Sequence, residues 1–312
     1  MSALICGSFA YDNIMVFPDR FKNHILPDKI HMLNVSFLVP ALRREFGGCA
    51  GNIVYNLGLL GSTGYAMSTV GDDIDPYLGW MREHGIGETY VRRVPGTFTA
   101  QAYITTDLDD NQITAFHPGA MNHSHEQQVP DDAGIAWGIV SPDGRQGMLD
   151  HAEQFSRAGI PFVFDPGQGL PMFGGDELKQ FVEQAAVVAV NDYEGQMLMQ
   201  RTGWSEAGIA DRVDALIVTR GAEGSIVYAR GKTLAIPPAK AAAVVDPTGC
   251  GDAYRAGLLH GLMAGADWET TGRIASLMGA IKIETAGTQN HSVDAELFAR
   301  RFREQFGFEP GL

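Results

Sequence analysis

The sequence lacks the apolar run of about 18 or more residues that a membrane-spanning helix needs. Its apolar stretches, such as Ala185–Val190, have the length of single strands. The segment Met1–Ala10 shows neither a basic region nor a cleavage pattern, so we expect no signal peptide. Cysteine is scarce, and Cys6, Cys49 and Cys250 form no C-x-x-C pair. We therefore predict free thiols and a cytoplasmic protein.

Positive charge is also scarce. The 312 residues include 23 Lys and Arg against 37 Asp and Glu, which gives a formal net charge of −14. Proteins that bind nucleic acid or anionic membranes neutralise phosphate with a basic surface, so the sequence excludes both classes of partner. A site for a small phosphate compound would have to overcome this charge locally. Backbone N–H groups at the start of a helix are able to do so.

Short apolar runs alternate with helical stretches along most of the chain. Such runs, bounded by turn residues, are typical of strands buried on both faces of a parallel sheet. The predicted strands are Ala3–Phe9, Gly64–Val70, Ala136–Val140, Phe162–Phe164, Val187–Val190 and Ala215–Thr219. The predicted helices are Ala50–Gly61, Ile74–His84, Met148–Ala158, Glu177–Gln184, Asp192–Arg201 and Asp294–Phe306. We expect residues 1–312 to form a single α/β domain with a mainly parallel sheet and helices on both faces.

Two regions interrupt this alternation, about 13–46 and 89–117. The second contains three β-prone pieces, Tyr90–Val94, Thr99–Thr105 and Ile113–His117. Antiparallel strands inserted into an α/β domain form a small sheet at one edge. We predict that this sheet is a lid over a cleft, of the kind that excludes water where phosphate is transferred.

The segment Ala243–Gly257 reads AVVDPTGCGDAYRAG. We predict an apolar strand that ends at Asp246, a glycine-rich turn, and a helix that starts at or near Asp252. Such a turn presents backbone N–H donors at the positive end of a helix and suits the charge of a transferred phosphoryl group. A carboxylate beside it is able to accept the proton of an attacking hydroxyl. The alternative is that Asp252 only caps the helix.

Four motifs in order identify a resemblance. Asp-x-Thr-Gly-x-Gly-Asp-Ala at 246–253 resembles the C-terminal signature of the ribokinase family, the PfkB-type carbohydrate and nucleoside kinases. The other three are the di-glycine motif at Gly47–Asn52, the Asn-x-x-Glu motif at Asn191–Glu194 and the Thr-x-Gly-x-x-Gly turn at Thr219–Gly224. The resemblance spans nearly the whole chain and implies the ribokinase-like fold.

The resemblance also implies the roles of residues. Asp252 is the expected catalytic base, and Gly249, Cys250 and Gly251 supply the amides of an anion hole. ATP is expected at Asn191, Thr219, Gly221 and Gly224, and Mg²⁺ near Asn191 and Glu194 through water. Many members bind a monovalent cation as well. The matching ligands for K⁺ are Asp246 and the backbone of Thr248, with the rest near residues 286–292.

The acceptor site follows less directly. Asp12 comes after the first strand, where a carboxylate is able to bind two neighbouring hydroxyls of a sugar. The resemblance gives Asp12 that role together with Gly48 and Asn52; taken alone, Asp12 also fits a turn.

The choice between a nucleoside and a sugar depends on the lid. Gln101, Tyr103 and Phe116, with Gln168 beyond Asp165, offer a stacking surface and amide hydrogen bonds for a base, although lid core or a dimer interface would need the same residues. The stretch between Asp12 and Gly47, with His31–Asn34, resembles adenosine kinase-like members. We therefore predict an ATP-dependent kinase of the nucleoside 5′-hydroxyl, and a homodimer joined through lid strands. A ribokinase- or fructokinase-like sugar kinase and a silent nucleoside-binding regulator are the alternatives.

Overall fold

The computed structural model describes residues 1–25, 34–109, 111–131 and 134–311. The strands are β1 (Ser2–Cys6), β2 (Ala10–Val16), β3 (Leu42–Gly47), β4 (Thr63–Val70), β5 (Val91–Arg93), β6 (Ala100–Thr106), β7 (Gln112–His117), β8 (Ile135–Val140), β9 (Phe162–Phe164), β10 (Val187–Asn191), β11 (Ala215–Thr219), β12 (Ser225–Ala229) and β13 (Lys232–Ile236). The helices are α1 (Cys49–Leu59), α2 (Asp75–Glu83), α3 (Arg145–Ala158), α4 (Gly175–Gln184), α5 (Asp192–Thr202), α6 (Glu206–Ala210), α7 (Cys250–Ala264), α8 (Trp268–Ile283) and α9 (Ala295–Phe306).

A large sheet forms the centre of the molecule. Among the described residues its order is β13-β12-β11-β10-β9-β8-β1-β4-β5, and only β12 runs antiparallel to its neighbours, β11 and β13. Alternate residues of β10 belong to different cores. Ala189 lies in the core that contains residues of α1, α2 and α7, whereas Val190 lies in the core that contains residues of α3, α4 and α5. The predicted mainly parallel sheet with helices on both faces is therefore confirmed. Within the described ranges, no helix is both long and apolar enough to cross a membrane.

The predicted strand that ends at Asp246 is wrong. Residues 241–249 form no strand, and Val244 and Val245 are 79% and 54% exposed. The amides of Val245 and Asp246 donate instead to the carbonyl of Ile283 at the end of α8. The helix that follows begins at Cys250, two residues before its predicted start.

The small sheet has the order β3-β2-β6-β7. It lies on the predicted lid segments with one correction: Val91–Arg93 pairs with β4 at the edge of the large sheet, so the second segment enters the small sheet only at Ala100. Asp12 lies inside β2 of this sheet, not in a turn after the first strand. Of the adenosine kinase-like stretch His31–Asn34, residues 31–33 lie outside the described residues.

Aromatic side chains join the small sheet to the body of the protein. The ring of Phe46, in β3, stacks on that of Tyr77, in α2, with centroids 4.6 Å apart. Phe9 meets Tyr77 edge to face at 4.8 Å, and the Tyr77 hydroxyl donates to the carbonyl of Gly47 at 2.8 Å. This packing holds the end of β3, and with it the start of α1, in one place.

Candidate active site

Polar side chains gather at the carboxyl ends of three adjacent parallel strands. Asp165 follows β9, Asn191 ends β10, and Thr219 ends β11 beside Asn191. Because open α/β sheets bind ligands at this edge, it is the first place to look for a site.

Asp252 lies in the first turn of α7 and faces α1. Its Oδ2 accepts a hydrogen bond from Asn52 Nδ2 at 2.7 Å. The residue that caps α7 is Gly249, in the left-handed conformation at φ 79°, so Asp252 does not act as the helix cap. Burial, with a smaller contribution from the nearby Asp165, raises the pKa of Asp252 to about 6 against the opposing effect of the Asn52 hydrogen bond. A raised pKa suits a carboxylate that must accept a proton near neutral pH.

The turn before Asp252 presents two of the three expected amides at the start of α7, those of Gly249 and Gly251. The amides of Gly249 and Gly251 donate to no acceptor in the described part of the chain, while that of Cys250 donates to Pro247 O at 3.1 Å. Free first-turn amides and the helix dipole favour an anion here. Burial raises the pKa of the Cys250 thiol to about 11, so this residue offers no thiolate at neutral pH.

The start of α1 requires glycine. Gly48 has φ 86°, and a Cβ atom there would lie 2.5 Å from the carbonyl oxygen of Ser8. Asp12, in β2, lies close to Gly47, just before the start of α1: a Cβ atom on Gly47 would be only 2.6 Å from Asp12 Oδ2. Burial, Glu45 and Asp246 together raise the pKa of Asp12 to about 6. Asp12, Gly48 and Asn52 are thus brought to the same end of α1 as Asp252.

The four residues predicted to contact a base are not brought together. Asp12, Ala102 and Phe116 are aligned across three strands, so their side chains leave one face of the small sheet. Gln101 and Tyr103 alternate with Ala102 and leave the opposite face. Gln168 is exposed on the turn that follows Asp165. Of the predicted lid contacts, only Phe116, which is 52% exposed, shares a face with Asp12.

Gln101 has structural partners on its own face. Its Nε2 donates to Asp73 Oδ2 at 2.9 Å, and its Oε1 accepts from the Tyr103 hydroxyl at 2.7 Å and from Asn13 Nδ2 at 3.3 Å. These bonds tie the small sheet to the loop before α2. They leave the amide of Gln101 committed within the protein.

The side of the site predicted to bind the nucleotide is built from tight turns. Asn191 and Glu194 form a reciprocal cap of α5, in which each side chain accepts the backbone N–H of the other at 2.8 Å. Burial raises the pKa of Glu194. Gly221 and Gly224 have φ 53° and 85°, and a Cβ on Gly224 would collide with the carbonyl oxygen of Ile236. One carboxylate and one amide oxygen suit a Mg²⁺ ion that keeps most of its water.

A buried ion pair, not predicted from the sequence, links the two sides of the site. Arg255 Nη2 lies 3.0 Å from Asp165 Oδ1 and also donates to Ala189 O at 3.1 Å. The two side chains are 5% and 7% exposed. The pair influences the pKa of Asp252 and of Glu194. The sequence did contain a signal for Asp165, because this carboxylate comes directly after a predicted strand, as Asp12 comes after the first one.

Gln289 was also missed. Its Nε2 donates to Asn52 Oδ1 at 3.0 Å and to the Tyr77 hydroxyl, and its Oε1 accepts from Trp80 Nε1 at 3.2 Å. The bond to Asn52 Oδ1 turns the amide of Asn52 so that its Nδ2 faces Asp252. No local pattern links residues this far apart along the chain.

We expect Gln289→Leu to lower the free energy of unfolding by about 1–3 kcal/mol, because buried polar groups of Asn52 and Trp80 lose their partner. Chemical denaturation measures this loss. Asn290→Leu, at the neighbouring exposed position, is the control and should cost less. Equal losses in the two variants would contradict the network.

Comparison with known proteins identifies the family. The model of the pfkB family of carbohydrate kinases matches residues 10–295. The chain belongs to this family. The chain is similar to the nucleoside kinase of Methanocaldococcus jannaschii, 32% identical over 260 residues that cover 83% of this chain and 85% of that protein. The predicted family, the ribokinase-like fold and the prediction of a phosphotransferase that acts on a hydroxyl group are confirmed.

Solved structures of similar sequence and fold support this family assignment. A nucleoside kinase of Burkholderia thailandensis, solved in complex with inosine, has a TM-score of 0.90 and 53% identity, and the match covers 98% of this chain and 99% of that one. The same protein was solved with ADP and inosine, at a TM-score of 0.88 and 54% identity over 99% and 97% of the two chains. The ribokinase of Thermotoga maritima, at a TM-score of 0.81 and 17% identity over 97% and 99%, shows the fold alone.

The raised pKa values of Asp12 and Asp252, both about 6, predict an acid limb in the rate. A protonated Asp252 cannot accept the proton of a hydroxyl, so kcat/KM should fall as pH decreases through about 6, by roughly tenfold at pH ~5 for one essential carboxylate. A profile of kcat/KM for the acceptor measures the midpoint. Enzyme returned from acid to neutral pH must regain its activity, which controls for unfolding. A midpoint near 4, the ordinary range of a carboxyl group, would contradict the assignment.

Proposed function

We propose that this protein transfers the γ-phosphoryl group of ATP to the 5′-hydroxyl of a nucleoside. The observation that carries the proposal is the likeness, at 53% identity over 98% of the chain, to a nucleoside kinase solved with inosine. The relative solved with ADP and inosine supports ATP as the donor. The site supports the chemistry, because a partly buried carboxylate with a raised pKa lies at the start of a helix with free amides beside it.

In the proposed reaction, Asp252 accepts the proton of the 5′-hydroxyl as its oxygen attacks the γ-phosphorus. Asn52, held by Gln289, keeps the carboxylate of Asp252 oriented toward the acceptor. The amides of Gly249 and Gly251 stabilise the charge that develops on the transferred group. Asn191 and Glu194 would hold Mg²⁺ through water, and the ion would neutralise charge on the phosphates.

Asp12 is proposed to bind the ribose hydroxyls from the small sheet. Because its pKa is raised by burial and by other carboxylates, it is a strong acceptor of hydrogen bonds from an uncharged polyol when ionised. Phe116 leaves the same face and offers a surface for the base. A sugar kinase is the second candidate, but the ribokinases support it through fold alone, at 17–20% identity.

The small sheet is also the proposed dimer interface. Its edge strands β3 and β7 expose apolar side chains, among them Leu42 at 62% and Ile113 at 44%. A second copy would cover these edges. The three cysteines are free thiols, which favours a reducing compartment such as the cytoplasm.

Release of ADP from ATP and Mg²⁺ tests the proposal with a panel of acceptors. We expect turnover with inosine, guanosine, adenosine or cytidine and little with ribose, fructose or fructose 6-phosphate. Turnover with sugars alone would overturn the nucleoside assignment and keep Asp252 as the base. If no acceptor reacts, calorimetry with inosine would identify a protein that only binds nucleosides.

A further inference from the structure

The ammonium group of Lys282 lies inside the protein at the turn that leads to the catalytic helix. Lys282 belongs to the last turn of α8 and is fully buried as a residue. Its Nζ donates to the carbonyl oxygen of Asp246 at 2.7 Å and to that of Thr285 at 3.3 Å. Both acceptors are backbone oxygens, and they come from segments 36 and 3 residues away.

The same two segments are joined by the side chain of Asp246. Its Oδ1 accepts the amide of Thr248 and its Oδ2 accepts the amide of Gly287, each at 2.9 Å. The ammonium therefore lies where the turn 246–249 meets the turn 285–287. Its charge opposes the rise in the pKa of the Cys250 thiol, which places it close to the start of α7.

Burial lowers the pKa of Lys282, so an ammonium at this position carries a cost in free energy that simple packing would not need. Backbone carbonyls around a single positive charge are also the ligands that a protein offers to K⁺. The family resemblance places a monovalent cation against Asp246 and residues 286–292. These residues do not fit a monovalent cation in addition to Lys282. The Lys282 ammonium already binds the carbonyl oxygen of Asp246, and its charge would repel a metal ion placed there.

We infer that Lys282 supplies, as a covalent part of the chain, the positive charge that a bound K⁺ ion would supply, and that the enzyme works without monovalent cations. The ammonium fixes the turn 246–249 and thereby the positions of the Gly249 and Gly251 amides and of Asp252. Lys282 is a positioning residue in this account, since its contacts are with the backbone and not with substrate.

The first test compares wild-type turnover in KCl and in N-methyl-D-glucamine chloride at equal ionic strength. We expect kcat to differ by less than about twofold. We expect Lys282→Ala to lose about 10²-fold in kcat without K⁺, the scale of a misplaced catalytic group, and to recover at least about tenfold in KCl. Lys282→Met fills the space without charge, so it should lose activity and show no recovery. Lys179→Ala, on the exposed side of α4, is the matched control.

The second test measures thermal unfolding and does not depend on the proposed function, on which the activity arm rests. KCl should raise the Tm of Lys282→Ala by at least about 2 °C relative to N-methyl-D-glucamine, and leave wild type and Lys282→Met unchanged. If Lys282→Ala does not fold without K⁺, recovery of folded protein in KCl replaces the Tm. A wild-type rate that falls more than about tenfold without K⁺, or a Lys282→Ala protein indifferent to K⁺ in both tests, would overturn the inference.

Discussion

Replacing Asp252 with asparagine is expected to lower kcat by at least about 10²-fold and by up to about 10⁴-fold. The carboxylate is partly buried at the start of α7, 2.7 Å from Asn52 Nδ2, and it is the proposed acceptor of the hydroxyl proton. Asparagine keeps the shape and cannot take that proton. The amides of Gly249 and Gly251 remain in place, so positioning and charge stabilisation should preserve a residual rate.

Steady-state turnover and acceptor binding by calorimetry separate this role from a structural one. We expect the Kd for the nucleoside to change by less than about threefold while kcat falls, because a general base acts in the transition state. Asp176→Asn is the matched control, an exposed carboxylate in the first turn of α4. Turnover within about threefold of wild type in Asp252→Asn would contradict the assignment of the base.

Removing Asp165 is expected to lower the free energy of unfolding by about 3–5 kcal/mol. Asp165→Ala leaves the guanidinium of Arg255, 5% exposed, without its carboxylate. Surface pairs behave differently, and Glu153→Ala, which breaks the exposed pair with Arg157, should cost less than about 1 kcal/mol. Denaturation of the two variants measures the difference, and a double variant Asp165→Ala with Arg255→Met should recover part of the loss.

The same substitution has a kinetic signature. Burial is the main cause of the raised pKa of Asp252; Asp165 adds to it and Arg255 opposes it, so removal of Asp165 leaves the lowering effect of Arg255 without its counterpart. The pKa of Asp252 is raised to about 6, so the midpoint of the acid limb of kcat/KM should lie lower in any folded Asp165→Ala protein than in the wild type. An unchanged limb, or a stability loss no larger than that of Glu153→Ala, would show that the pair does not influence the site as described.

The sequence predicted the parts of the fold that burial decides. The runs 187–190 and 215–218 are apolar at every position, because helices cover both faces of the large sheet. The start of α1 was predictable for a similar local reason, since only glycine fits at Gly48. The run before Asp246 has the same apolar character but forms no strand. The prediction failed there because apolar character alone does not show whether a partner strand is present.

The site was predictable only where a motif is local. Asp252, Asn191 and Thr219 lie in short signatures, and the structure places each at the end of a strand or the start of a helix. Gln101 and Phe116 were grouped by chemistry, but sheet register puts them on opposite faces. The partners of Asn52 and Arg255 are far away along the chain, at Gln289 and Asp165. Such pairs depend on the tertiary fold, which periodicity does not encode.

A competition between inosine and ribose in one reaction tests the central claim most directly. Wild-type enzyme, ATP and Mg²⁺ are incubated with equal concentrations of both acceptors, and the phosphorylated products are separated and identified by mass and by comparison with inosine 5′-monophosphate. We predict that inosine 5′-monophosphate accumulates and that Asp252→Asn forms it far more slowly. Ribose phosphate as the main product, or inosine phosphorylated elsewhere than at its 5′-oxygen, would contradict the account.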